Sequence, residues 1–177
     1  MTGATPSLPS PRLTFHMPTK LLSTIQLILA VLFCEFAGVL GAVLTATGQS
    51  PWYQNLHKPP FNPPPWVFGP VWTALYALMG VALYLIWERR GSSAAGPMAL
   101  ALFFLQLLLN AAWTPVFFGL HALRLSVAVI LVLWVAIVAT IVAFRRISPV
   151  AAGLLIPYLL WVTFASVLNV SILILNF

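Results

Sequence analysis

Residues 59–90 read PPFNPPPWVFGPVWTALYALMGVALYLIWERR, and two different chain grammars meet at Pro65. Up to that point Pro51, Pro59, Pro60, Pro63, Pro64 and Pro65 fix φ and remove backbone donors, so the loop over 48–65 predicts neither a helix nor a central strand. Beyond it, no charged side chain occurs from Trp66 to Trp87. A helix over that run is long enough to cross ~30 Å of hydrocarbon while satisfying its own backbone groups. Glu88-Arg89-Arg90-Gly91-Ser92-Ser93 then closes the run as a short polar turn.

The same apolar grammar recurs on both sides. One run extends from Leu21 to about Thr47, too long for the core of a cleaved signal peptide. Others extend from Pro97 to about Gly119, from Leu123 to Phe144, and from Val150 to about Leu175. Pro97 is well placed to start a helix, and Arg145-Arg146-Ile147-Ser148-Pro149 separates the last two runs. The reading is an all-α integral membrane protein, a bundle of five transmembrane helices. Its first two helices are joined by a proline-rich loop over 48–65. Residues 1–20, rich in Ser, Thr and Pro, predict a flexible tail, and 21–177 a single transmembrane domain. Met17, directly before the first run, is an alternative start.

Composition agrees. Of 177 residues 62% are hydrophobic and 6% charged, against about 45–50% and about 25% in a soluble domain. A water-soluble enzyme cannot hide that much apolar surface, and a disordered chain does not contain it. The net charge of +6 comes from bases never more than two in a row, which excludes a nucleic-acid binder and reads as a topology signal. Arg12, Lys20, Arg89, Arg90, Arg145 and Arg146 fall on the N-terminal side; Lys58 and Arg124 fall on the other. The positive-inside rule therefore predicts a cytoplasmic N-terminus, in a bacterial cell membrane or an organelle membrane. The single cysteine, Cys34, excludes an intrachain disulfide and a cysteine-based zinc site. No metal site, catalytic motif or internal repeat appears, and His16, His57 and His121 are scattered.

A few side chains stand out against this apolar background. Glu35 is the only acid inside a span, with Gly38, Ala42 and Thr45 on its helix face. It reads either as a cavity-lining acid or as a protonated carboxyl bonded to another helix. Asn110 and Trp113 share a face of the third span, and the amide reads either as ligand contact or as interhelical glue. Asn169 in the fifth span reads as glue. Trp66 and Trp87, at the two ends of the second span, read as an interfacial belt. Trp72 shares a face with Tyr76, and Trp161 with Ala165 and Leu168. Such aromatic faces line a pocket for a flat apolar ligand or simply pack. The stretch from Val81 through Tyr84 to Arg89 matches the weak pattern proposed for sterol contact.

The loop and second helix carry a longer signature: Trp52-Tyr53-Gln54-Asn55-Leu56-His57-Lys58-Pro59, then Pro63-Pro64-Pro65-Trp66-Val67-Phe68-Gly69-Pro70-Val71-Trp72-Thr73, then Leu75-Tyr76 and Met79-Gly80. With Gln106, Asn110, Trp113 to Gly119, Pro157 to Trp161 and Leu168-Asn169, the chain resembles the translocator protein family, TspO or peripheral benzodiazepine receptor family, over about 21–175. The resemblance implies a five-helix bundle, often homodimeric, that binds tetrapyrroles such as protoporphyrin IX and haem, or a sterol-like small molecule. By position it places Trp52 and Tyr53 in a pocket roof. Pro63, Phe68, Trp72, Asn110, Trp161, Ala165 and Leu168 would line the pocket. Val170 follows Leu168-Asn169 where animal members have Tyr and then Arg, which points to a microbial member and away from a sterol site there. Leu102 and Gln106 stand where some members carry small residues at a dimer contact. The implied function is a membrane receptor for tetrapyrroles in sensing, sequestration or transport, with no required cofactor. The alternative is light-dependent degradation of protoporphyrin, with Trp52 and Trp161 as the reactive residues.

Overall fold

The computed structural model describes residues 19–45, 51–91 and 94–177. All but the last two residues of the expected tail 1–20 lie outside them. Helix α1 spans Thr19–Thr45, the short α2 Pro51–Asn55, and α3 Pro65–Arg89. Helix α4 spans Gly96–Thr114 and passes into a π-helical turn over Pro115–Gly119. Helix α5 spans Leu123–Arg145, α6 Pro149–Leu154 and α7 Ile156–Leu175. No strand occurs among the described residues. Five segments are long and apolar enough to span a bilayer: α1, α3, α4 with its π turn, α5, and α6 with α7. The chain is an all-α integral, multi-pass membrane protein.

Two expectations need correction. The proline-rich loop does hold a helix, α2, because Pro51 sits at its start, where a missing donor costs nothing, and the next proline comes only at Pro59. The fifth span is not one helix. Pro157 has no N–H for the carbonyl four residues back, and the helix breaks at Leu155, whose N–H bonds back to Ala152. Ser148 caps α6, its hydroxyl accepting from the Ala151 N–H at 3.3 Å.

The spans close into a ring. Helix α1 packs on α3 and α4, α3 on α6, and α5 on α4, α6 and α7. The α1–α3 contact is close in both directions. A Cβ at Gly38 would lie 2.1 Å from the edge of the Tyr76 ring, and one at Gly80 2.4 Å from the Val31 Cα. Small residues admit such an approach in a bilayer, where dispersion contacts replace the hydrophobic drive between helices. Away from the proline-rich loop the bundle interior is solid. Met79, Ala82, Ile86, Phe103, Ile137, Phe144 and Leu155 are buried there, with the Phe103 and Phe144 rings stacked at 5.8 Å. Trp66 is 74% exposed and Trp87 39%, at opposite ends of α3.

Candidate functional site

Toward the loop end the ring of helices opens around a cavity of about 430 Å³. This lies within the ~300–1,000 Å³ range of small-molecule pockets. Its floor is polar. The Tyr76 hydroxyl donates to Asn110 Oδ1 at 2.5 Å, and Asn110 Nδ2 donates to the Tyr158 hydroxyl at 2.9 Å. Tyr76 and Asn110 face the cavity, with Tyr158 fully buried behind them. A second polar rung lies on the α4, α5 and α7 walls. Asn169 accepts from Trp113 Nε1 at 3.1 Å and donates to Ser126 Oγ at 3.1 Å. In hydrocarbon an unpaired amide is costly, so these chains fix α3, α4, α5 and α7 against one another.

The walls are aromatic. Trp72 stacks on Tyr76 with ring centroids 5.4 Å apart, and Phe68 meets Trp161 edge-on at 5.9 Å. Phe117 and Phe118 enter from the π turn, which Pro115 opens and the Leu120 N–H closes onto the Pro115 carbonyl. Ala165, Leu168 and Asn169 line the α7 side. Glu35 and Gly38 reach the cavity from α1, while the side chains of Ala42 and Thr45 fall outside the description. The Trp161 indole N–H is buried and unpaired among the described residues. A buried donor in that state on a cavity wall is a position for an acceptor atom of a bound molecule.

The roof is α2 with the loop to α3. Tyr53 and Pro63 face the cavity. Trp52 is not among the lining residues; it stacks on His121 at 4.1 Å and packs edge-on against Phe117 at 5.6 Å. His121 holds a φ of 54°, a left-handed conformation uncommon outside glycine, at the link from the π turn to α5. Burial pushes the Tyr53 phenol above its ordinary pKa, and Lys58 Nζ lies over its ring, 4.6 Å from the centroid. Asn176, just past α7, fastens the roof. Its Oδ1 accepts from the His57 N–H at 3.0 Å, and its Nδ2 donates to the His57 carbonyl at 2.9 Å and to the Ile172 carbonyl at 2.8 Å.

Of the residues singled out from sequence, Tyr53, Pro63, Phe68, Trp72, Asn110, Trp161, Ala165 and Leu168 meet at one cavity, and Trp52 lies in the roof above it. Asn110 and Asn169 each act as glue and also line the cavity. Sequence reading missed Phe117 and Phe118 as lining residues, the stack of His121 on Trp52, and the Asn176 clamp. The first had a signal in Pro115, which marks a break in the helix. The others join residues far apart in the chain and had none.

A five-span bundle with an aromatic cavity under a proline-rich roof defines a class of membrane protein built around a buried small-molecule chamber. A profile of the TspO/MBR family matches residues 30–175, and the chain belongs to that family. It is 41% identical over 152 residues to the tryptophan-rich protein TspO of Chlorobaculum tepidum, covering 86% of this chain and 96% of that one. It is 42% identical over 149 residues to the tryptophan-rich sensory protein of Cereibacter sphaeroides, covering 82% and 91%. With the human translocator protein it shares 44% identity over 119 residues, covering 67% and 70%.

Proposed function

We propose that the protein is a membrane receptor for a flat, apolar tetrapyrrole, protoporphyrin IX or haem, held in the roofed cavity. The observation that carries this reading is the cavity itself: stacked and edge-on aromatic walls, with polar groups confined to a few fixed points. A planar macrocycle gains face and edge contacts from Trp72, Phe68 and Phe117. The Trp161 N–H and Asn110 supply acceptor- and donor-matching points that set its orientation. Relatives named as a sensory protein and as a translocator protein support a role in sensing or carrying a ligand. In this reading the N-terminus is cytoplasmic and the roof faces outward, from the distribution of bases, and two copies assemble as a homodimer.

Light-driven breakdown of the ligand requires Trp52 and Trp161 to act on one molecule. Trp161 faces the cavity, whereas Trp52 is engaged with His121 above it. Binding is therefore the better supported activity. The test is a titration of the detergent-purified protein with protoporphyrin IX in the dark, followed by tryptophan quenching and porphyrin absorbance. Saturable one-to-one binding is expected. Trp72→Ala should weaken it about tenfold, from loss of one aromatic face. Linear, unsaturable quenching, or an unchanged affinity in the variant, would overturn the reading. Repeating the titration under illumination then separates a binder from a degrading enzyme, since only the latter converts the porphyrin to a stable product.

A further inference from the structure

The two ends of the bundle treat their cations differently. At the roof end, Lys58 donates to the Gln54 and Leu56 carbonyls, and the Arg124 guanidinium lies over the Phe177 ring. The opposite end carries Lys20, Arg89, Arg90, Arg145 and Arg146 and one acid, Glu88, which accepts the Tyr84 hydroxyl. Arg89 donates to Ser148 Oγ at 2.6 Å, which draws the end of α3 onto the α5–α6 turn. Arg90 is held over Trp87 at 3.8 Å. Arg145 and Arg146 are exposed, and among the described residues neither side chain has a hydrogen-bond or ion-pair partner.

An apolar track leads to this pair. Leu131, Val135, Val142 and Arg146 follow at i, i+4, i+11 and i+15, one face of α5, and the three apolar members are exposed. Val150, beyond the turn, is exposed as well. A free anion would use the charges alone. A molecule that joins a phosphate to long acyl chains uses both the charges and the track.

We propose that Arg145 and Arg146 bind the phosphate of an anionic phospholipid whose acyl chain lies along Leu131, Val135 and Val142. This site is separate from the cavity and does not depend on what the cavity holds. Each base near an anionic lipid surface contributes about fivefold in affinity, so the pair should favour anionic over zwitterionic lipid about 25-fold.

Native mass spectrometry of the purified full chain, titrated with phosphatidylglycerol or phosphatidylcholine, tests it. The expected result is tighter binding of phosphatidylglycerol. The preference should be lost in Arg145→Gln/Arg146→Gln and kept in Arg124→Gln and in Arg145→Lys/Arg146→Lys, the last showing that the turn still folds. Equal binding of the two lipids, or a preference that survives the double glutamine variant, would overturn the proposal. So would displacement of the lipid by millimolar inorganic phosphate, which would mark a simple anion site. A dimer mass lost in the glutamine variant with an unchanged lipid ratio would instead assign this face to a second copy of the chain.

Discussion

The same helices build two unlike halves. Away from the roof, α3, α4, α5 and α6 meet through Met79, Ile86, Phe103, Phe144 and Leu155, with Gly80 against the Val31 backbone and no room between them. Toward the roof, α3, α4 with its π turn, and α7 carry Trp72, Trp113, Phe117 and Trp161, and hold a chamber open. The halves also differ in their buried side-chain amides. Asn110 and Asn169, beside the chamber, are each bonded on both amide atoms. Gln106, one turn from Asn110 toward the solid half, is buried with neither amide atom paired among the described residues. Large rings cannot interdigitate as closely as aliphatic chains and small residues. Paired amides hold the chamber walls in register.

This contrast breaks most visibly in the solid half. Phe103→Ala leaves a cavity where the ring stacked on Phe144, and should cost about 3 kcal/mol of stability. That is the low end of the soluble-protein range, because lipid rather than water surrounds the ring when the helices separate. Thermal unfolding in detergent checks it, and porphyrin affinity in the fraction still folded should be unchanged. If affinity falls in step with stability, the halves are not separable.

Asn110→Leu attacks the chamber scaffold. It strands the Tyr76 and Tyr158 hydroxyls and should cost about 2 kcal/mol. Here, unlike in Phe103→Ala, porphyrin affinity should fall along with the melting temperature.

Gln106→Met tests the other side of the comparison. Replacing an unpaired buried amide by an apolar chain of like shape should raise stability by about 1 kcal/mol, with binding unchanged. A loss of stability would mean that the amide has a partner, such as a buried water.

The smallest effect on stability belongs to the roof. Asn176→Ala removes the solvent-exposed bonds to His57, and should cost under about 1 kcal/mol. Porphyrin association and dissociation should both quicken severalfold, in stopped-flow fluorescence, with their ratio little changed. Rates equal to the parent would mean that the roof is held by Trp52 on His121 instead.

Much of this architecture was legible in the chain itself. The span limits agree with the apolar runs to within a few residues, since length and hydropathy are local quantities set by bilayer thickness. The prolines before Trp66 located the loop, and helical spacing grouped Trp72 with Tyr76 and Trp161 with Ala165 and Leu168. The motif from Trp52 to Gly80 pointed to the TspO/MBR family, to which the chain belongs. Spacing stopped at the helix surface, however. It left Asn110 open between ligand contact and glue because an amide on one helix does not say what faces it.

The sequence by itself determined that this protein lives in a bilayer, how many times it crosses, and which faces carry the aromatic and polar side chains. Each of these follows from the cost of placing charge or unpaired backbone in hydrocarbon, a cost read one segment at a time. Only the tertiary structure decided that Tyr76, Asn110 and Tyr158 form one chain, that Trp52 rests on His121, that Asn176 holds the roof, and that Arg89 reaches Ser148. Those are contacts between segments distant in sequence. They depend on how each helix is rotated, tilted and broken against its neighbours, and no single helix carries that information.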